Sequence, residues 1–280
     1  MHWLRRFKLN ELLLWQKTCN QGPQQNVKHR ASREIGRIIV KTTFGKALGI
    51  FSVAALAGLL MLPQASSAAG KVEGKVTLDG DAPKRKKLRM DADPQCAKQH
   101  SAPVLSEEVI VDDNGGLSNV FVFVKTGLEG QKFDAPTEAV EINQVGCLYQ
   151  PHVTGVMVGQ PVRFLNSDKT LHNVHGMPKV NTGFNFAMPK FVKKKDTSFG
   201  EEEVLFAVKC DVHPWMSGYV AVMTHPFFTV TAPDGTFSID GLPAGTYTIE
   251  AWQEKLGTKE GSVTIAADGT ATIDFAYSTS

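Results

Sequence analysis

The chain has 280 residues, enough for one or two buried cores, and 30 basic residues nearly balance 28 acidic ones, for a net charge of +2. Residues 1–69 contain ten of the basic residues and only two acidic ones, so the remainder has 20 basic and 26 acidic residues, a net charge of −6. An acidic remainder argues against nucleic acid as a partner.

The first 69 residues have the pattern of an export signal. Residues 47–62 are uncharged and apolar, follow Lys46, and precede small residues at the −3 and −1 positions of a cut after Ala68 or Ala69. This run of 16 residues is shorter than a membrane span needs. We therefore expect residues 1–69 to be a leader with a cleaved signal peptide. The expected location is the periplasm, without stable membrane insertion after cleavage, and the alternative is an uncleaved N-terminal anchor.

The rest of the chain is typical of short strands and turns, which predicts an all-β protein. Residues 70–80 alternate small or apolar with polar residues and predict a first strand, and an irregular extension with the basic run PKRKKLR follows up to residue 116. A first domain is expected at residues 117–224 and a second at residues 225–280. The second shows about five strands, separated by turn signals such as Pro233-Asp234-Gly235.

Four segments of the expected first domain have distinct patterns. Residues 119–125, NVFVFVK, are apolar on both faces and predict a strand covered on both sides. Residues 155–168 predict two strands, and residues 177–200 show no regular pattern. In residues 201–210 the alternation places four side chains on one face, with the thiol inward at the end of a core strand: Val204, Phe206, Val208 and Cys210.

The run KCDVHPWM, residues 209–216, holds Cys210, His213 and Met216 at intervals of three. A thiolate, two imidazoles and a weak thioether define a trigonal copper site, so a second histidine is needed from elsewhere. His172 and His175 are three apart and on an extended chain point to opposite faces. We favour His172, which directly follows the predicted strand pair, and His175 stays the alternative.

The segment NSDKTLHNVHG, followed about 35 residues later by VKCDVHPWMSGYVAV, resembles the cupredoxins, the family of plastocyanin, azurin and amicyanin. The resemblance covers residues 117–223, and the C-x-x-H-x-x-M spacing is similar to amicyanin. It implies a Greek-key β-sandwich that holds one type 1 copper. The implied ligands are His172, Cys210, His213 and Met216, with Asn173 tying the two ligand loops together.

The resemblance also implies that His213 lies near the surface as the electron port. Pro214 and Trp215, with Met216, are then expected to form an apolar docking face around it. Two features depart from the family pattern: Val212 stands where a proline is usual, and residues 177–195 form a long basic excursion. Four lysines of this excursion are expected to rim the docking face: Lys190, Lys193, Lys194 and Lys195.

The function that this resemblance implies is transfer of single electrons between redox proteins, for example a cytochrome or a dehydrogenase, and not an enzymatic reaction. Multicopper enzymes place histidines beside the cysteine, whereas Lys209 and Asp211 flank Cys210 here. Two alternatives remain: a periplasmic copper carrier or storage protein, and a cell-envelope interaction module with a structural copper site. Coincidental core packing of Cys and Met is the alternative to a metal site, and zinc is disfavoured because methionine is a poor zinc ligand.

With Cys210 assigned to copper and Cys19 in the leader, Cys96 and Cys147 remain and are expected to form a disulfide. The C-terminal run DGTFSIDGLPAGTYTIEAW resembles the carboxypeptidase regulatory-like, or transthyretin-like, β-sandwich domains. The strand at residues 70–80 resembles the opening strand of that module, so the mature N-terminus is expected to complete it. The whole arrangement is similar to bacterial methylamine-utilisation and plastocyanin-like proteins.

Overall fold

A computed structural model describes residues 69–279, and the regular secondary structure of this part of the chain is almost entirely β-strand, which confirms the predicted fold class. The predicted leader lies outside the described residues, apart from Ala69. Within residues 69–279, no helix has the length and apolar character needed to cross a membrane.

The described part of the chain forms 17 strands, one turn of 3-10 helix and one short α-helix. The 3-10 turn is Met90–Ala92 and the helix, α1, is Pro94–Ala97. The strands are β1 Gly70–Asp79, β2 Phe121–Thr126, β3 Val140–Val145, β4 Leu148–Gln150, β5 Val153–Met157, β6 Val162–Asn166, β7 His172–Gly176, β8 Phe184–Met188, β9 Lys194–Thr197, β10 Glu203–Lys209, β11 Ser217–Met223, β12 Phe228–Val230, β13 Thr236–Leu242, β14 Gly245–Gln253, β15 Gly257–Ile265, β16 Thr270–Thr272 and β17 Phe275–Ser278.

Two sheets, which we call the terminal sandwich, enclose one apolar core. The first has the order β13-β1-β16, with β17 also paired to β1, and the second has the order β12-β2-β14-β15. Strand β1 is antiparallel to β13 and parallel to β16 and β17. The strand that follows the leader therefore completes the C-terminal module, as the sequence predicts.

The other two sheets, which we call the site sandwich, enclose a second core. Their orders are β5-β11-β10-β7-β8 and β4-β3-β6-β9. The segment at residues 177–200, for which the sequence shows no pattern, contains β8 and β9. Because β8 pairs with β7 and β9 pairs with β6, this segment crosses from one sheet to the other.

Strand β2 lies in the terminal sandwich, although the sequence places it in the first domain. It pairs with β12 and β14. Its valines enter the terminal core, whereas Phe121 and Phe123 pack against Val153, Ala221 and Met223 of the site sandwich. The strand is covered on both faces, as predicted, because it forms the contact between the two sandwiches.

One side chain of β10 differs from its predicted orientation. Phe206 and Val208 are buried, and Cys210 just after the strand is buried too, but Val204 is 42% exposed. The pairing of β10 with β11 shifts register between Glu203 and Phe206, and Leu205 has a φ of 65°. An extra residue in a strand reverses the alternation of side chains, so the inward prediction for Val204 is wrong.

Candidate metal centre

His172 opens β7, which lies between β10 and β8 in the five-stranded sheet. The turn before it is held by Asn166, whose side-chain oxygen accepts from the Asp168 amide at 3.0 Å. The Asn166 amide group in turn donates to the Met188 carbonyl at 2.7 Å. This turn points the His172 ring into the core, where it is fully buried.

Residues 210–216 form a tight loop between β10 and β11. The Cys210 amide donates to the Met216 carbonyl at 3.2 Å, and the Met216 amide donates to the His213 carbonyl at 2.9 Å. Cys210, His213 and Met216 are all buried, at 2%, 2% and 1% exposure. The spacing of three residues thus brings the three side chains into the same core.

The side chains of His172, Cys210 and His213 converge. The Nδ1 atoms of the two rings are 3.0 Å apart, and the Cys210 Sγ is 3.6 Å from the His213 Nδ1. One donor atom from each of the three residues lies within 4.8 Å of the others. Met216 packs in the same core cluster as Cys210.

The outward nitrogens of both rings are hydrogen-bonded to carboxylates. The His172 Nε2 is 2.8 Å from an Asp168 oxygen, and the His213 Nε2 is 3.0 Å from an Asp93 oxygen. An ionised carboxylate only accepts, so each Nε2 carries the proton. In the neutral ring the Nδ1 then keeps a lone pair that points into the space shared with the thiol.

The acidic groups of the cluster are held in their charged forms. Burial opposes ionisation of Cys210, but His172 and His213, which donate to the sulfur when their rings are protonated, outweigh it and lower the pKa of the thiol to about 6. Burial also opposes ionisation of Asp168 and Asp93, yet hydrogen bonds from the histidines and nearby amides leave the pKa of each carboxyl below its usual value. Three anionic groups therefore surround two imidazoles.

Positive charge is needed to balance this cluster. Burial disfavours the charged rings, but partners that include Cys210 and the two aspartates raise the pKa of His172 and of His213. Two lone pairs 3.0 Å apart beside a thiolate repel one another unless a proton or a metal cation lies among them. The donor set of two imidazoles and one thiolate, with a buried thioether, fits copper.

Asn173 lies beside the loop as the resemblance implies. Its side-chain oxygen accepts from the Asp211 amide at 2.5 Å, and its amide group donates to an Asp211 carboxylate oxygen at 3.1 Å. Tyr149 supports the same junction, since its hydroxyl donates to the carbonyls of Asn173 and Lys209. The strand of His172 and the loop of Cys210 are therefore fixed to each other.

His175 lies outside the cluster. Its Nδ1 is 3.0 Å from an Asp211 oxygen, and its side chain is 35% exposed. The opposite-face argument is consistent with this placement, because His172 and His175 diverge along β7.

The expected position of His213 at the surface is wrong. Its ring is 2% exposed and is covered by Asp93 and by Cys96, whose Sγ is 3.6 Å from the His213 Nε2. The covering residues belong to the irregular extension, which folds over the loop and is bonded to Cys147 through a disulfide with Cys96. Among the described residues, Cys210 is the free cysteine.

Pro214 and Trp215 reach the surface that His213 does not. Pro214 is exposed and Trp215 is half-buried, and both border an open cleft of about 490 Å³ with Arg89, Asp91 and Ala92. The Trp215 ring centre is 5.1 Å from that of His213, and its indole nitrogen donates to the Cys147 carbonyl at 3.1 Å. The four lysines of residues 190–195 are exposed but do not line this cleft.

Sequence reasoning missed the two aspartates. Asp168 lies four residues before His172, and a carboxylate so near in sequence could have been considered as a hydrogen-bond partner of the His172 ring. Asp93 is 120 residues from His213 in sequence. Its local sequence, Asp-Pro at the start of α1, indicates a helix cap and not a contact with His213, and its carboxylate does accept from the Gln95 amide.

A family model described as "Carboxypeptidase regulatory-like domain" matches residues 220–278. No curated protein matches the chain in sequence. Among solved structures, a Cu-containing nitrite reductase from Thermus scotoductus is 25% identical over 33% of this chain, with a TM-score of 0.27. The match spans only 24% of the length of that reductase.

Two smaller proteins are matched over most of their own length. A mutant of amicyanin in its Cu(I) form is 24% identical over 32% of this chain and 86% of its own, with a TM-score of 0.28. A purple cupredoxin from Nitrosopumilus maritimus is 23% identical over 30% of this chain and 98% of its own, with a TM-score of 0.26. All three TM-scores are below 0.5, so the case for a metal rests on the side-chain geometry. The chain thus combines a carboxypeptidase regulatory-like module at its C-terminal end with structural neighbours that are cupredoxin-like.

Proposed function

We propose that the protein is an exported, periplasmic carrier of single electrons that holds one type 1 copper. The convergence of the His172 Nδ1, the His213 Nδ1 and the Cys210 Sγ in a buried space carries this proposal. Met216 supplies a buried thioether in the same core. Copper held there supplies one-electron chemistry through its Cu(I) and Cu(II) states.

The residues around the proposed copper site hold its ligands rigidly and exclude water from it. Asp168 and Asp93 fix the orientation of the two rings, and Asn173 fixes the loop that carries the thiolate. Burial of all three donors excludes water. A site that cannot rearrange suits electron transfer, because little reorganisation accompanies each change of charge.

The proposed partner is a second redox protein that docks at the cleft of Pro214 and Trp215. The Trp215 ring, whose centre is 5.1 Å from that of His213, lies between this cleft and the buried His213.

Copper storage or delivery is the second candidate function, and the burial of His213 favours it. A covered ligand retains its metal better than an exposed one. Fast, reversible one-electron cycling of the copper-loaded protein would support the electron-transfer function. Transfer of the metal to an acceptor, without a stable redox cycle, supports storage.

The first test is the colour of the protein loaded with copper(II). A thiolate in a trigonal site gives intense charge-transfer absorption, so we expect a blue wild type and a colourless Cys210→Ser variant. Val212→Ala changes an exposed neighbour in the same loop and should leave the absorption unchanged. A colourless wild type with copper bound would contradict the type 1 assignment.

A further inference from the structure

Residues 90–99 cover the side of the metal centre on which His213 lies, and we call this segment the lid. Asp93 reaches from the lid to the His213 Nε2 and also accepts from the Thr170 hydroxyl at 3.0 Å. Cys96 lies against the same ring nitrogen at 3.6 Å. The lid therefore helps to cover His213, which is 2% exposed.

The disulfide holds the lid covalently, and its other contacts include the buried side chain of Met90 and the hydrogen bonds of Asp93. Its helix α1 has only four residues, too few to be stable alone. Met90 and Cys96 are buried, whereas most of the other lid residues are exposed. The base of the lid is pinned where Lys87 bridges Leu105, but its tip is fixed by the bond between Cys96 and Cys147.

The same disulfide links the supports of both ligand histidines. The turn that carries Cys147 donates two amides, of Gly146 and Cys147, to the carboxylate of Asp168, which orients His172. The lid carries Asp93, which orients His213. One covalent bond thus joins the two halves of the outer hydrogen-bond network.

We propose that Asp93 is a positioning residue for His213, and that the Cys96–Cys147 disulfide locks the lid so that metal enters and leaves only while the two cysteines are thiols. This proposal rests on the proposed function, since it requires that the cluster binds a metal. Outer hydrogen-bond partners fix the tautomer and orientation of a ligating histidine, which is the role the geometry gives to Asp93.

The order of assembly follows from burial. Both sulfurs of the disulfide are fully buried, and thiol–disulfide exchange requires access to a sulfur. Exchange therefore occurs while the lid is open, and under this proposal the metal enters before the bond closes. On closure, the two thiols lose two protons and two electrons to a disulfide oxidant, whose own S–S bond breaks into two thiols.

The experiment measures how fast Cu(I) passes from the loaded protein to an excess of a coloured Cu(I) chelator, far below the melting temperature. We compare the wild type with Cys96→Ser/Cys147→Ser, in which the lid is unlocked. The expected result is release at least about tenfold faster from the double variant, the lower end of what loss of outer-shell support costs.

Two control variants separate the lid from general effects. Lys98→Ala changes an exposed lid residue and should leave the release rate unchanged. Val156→Ala opens a gap in the core of the site sandwich at a residue outside the lid, and lowers stability while the disulfide stays intact. Release from Val156→Ala at the rate of the double variant would show that instability, not the lid, controls release.

The positioning role has a separate readout, because Asp93→Ala keeps the disulfide. In the diamagnetic Cu(I) form, nitrogen NMR should show a His213 Nε2–H that is protected from solvent exchange in the wild type and exchanges rapidly in Asp93→Ala. An unchanged Nε2–H signal would overturn the positioning role.

The outcomes distinguish the two levels of inference. A wild type that binds no metal even while Cys96 and Cys147 are reduced overturns the proposed function and the lid together. A wild type that binds one copper but releases it as fast as Cys96→Ser/Cys147→Ser overturns the lid alone.

Discussion

The two sandwiches are both β-structures of similar construction, but their interiors differ in polarity. The terminal core is apolar, and the hydroxyls of its tyrosines Tyr247 and Tyr277 donate to the carbonyls of Pro243 and Ala251. The site sandwich buries ionisable groups: Asp168, His172, Cys210 and His213. Burying such groups costs free energy unless they are paired, and in the site sandwich the aspartates and histidines of the candidate metal centre pair with one another.

The largest expected effect separates two histidines of one strand. His172→Ala removes a buried donor and should weaken copper binding by more than the roughly 10- to 100-fold typical of outer-shell changes. His175→Ala removes an exposed partner of Asp211 and should have little effect on binding. Copper titration with the visible spectrum as readout checks both. Equal losses, or a larger loss at His175, would show that the ligand assignment is wrong.

Deleting residues 225–280 tests whether the terminal sandwich supports the site sandwich. The deletion removes β12–β17, so β1 loses all its paired strands and β2 loses both. The apolar side chains of these two strands would become exposed. We expect reduced solubility, or a melting temperature lower by more than about 10 °C, since several kcal/mol of contacts are lost.

A milder change serves as the control for the deletion. Ile249→Ala leaves every strand in place but removes a buried side chain from the terminal core, and it should lower the melting temperature while the copper spectrum stays the same. If the deleted protein melts at the wild-type temperature, the stability of the site sandwich does not depend on the terminal sandwich.

The clustering of the candidate ligands was accessible to sequence reasoning because its signals are local. Spacing brings Cys210, His213 and Met216 into one loop, and strand alternation separates His172 from His175. The inward prediction for Val204 was wrong because the bulge at Leu205 has no strong local signal in this sequence.

The covering of His213 was not accessible to sequence reasoning. It depends on a segment 120 residues away in sequence, which lacks any periodicity and is positioned by a disulfide. The sheet to which β2 belongs was not accessible for a related reason. Its apolar pattern predicts two covered faces but does not predict which strands pair with it.

A smaller effect is expected at the surface of the site sandwich. Trp215→Ala should slow electron transfer to the redox partner, because the ring links buried His213 to the cleft, while the copper spectrum stays the same. Trp215→Phe keeps a ring and should retain more of the rate. Stopped-flow mixing with the partner measures both.

Charge reversal of the lysines at 190, 193, 194 and 195 tests the other part of the docking prediction. If they steer an acidic partner, the reversal should reduce the dependence of the association rate on ionic strength. If neither the lysines nor Trp215 alters the bimolecular rate, the partner docks elsewhere.

The smallest effect concerns an ion pair between the sandwiches. His152 precedes β5, and its Nε2 is 2.7 Å from an oxygen of Glu254, which follows β14. Burial lowers the pKa of His152, but the hydrogen bond and charge of Glu254 outweigh this and raise it above the usual 6.5. A raised folded-state pKa contributes stability below about pH 6.5 that is lost as pH rises through the folded value.

We therefore expect the wild type to be more stable than Glu254→Gln at pH 6, with the gap shrinking as pH rises through the folded-state pKa of His152. Glu138→Gln, at an exposed carboxylate, should show no such trend. Urea unfolding at several pH values measures the difference. A gap that stays constant or grows with pH would contradict the assigned protonation of His152.

Strand β1 has a mechanical consequence. Because β1 belongs to the terminal sandwich, the site sandwich is inserted between the two ends of its neighbour along the chain. Strands β1 and β17 are parallel, so tension applied at Gly70 and at Ser278 loads their hydrogen bonds in shear. The residues of the candidate metal centre lie inside a closed loop of chain that carries no tension until the pairing of β1 with β17 breaks.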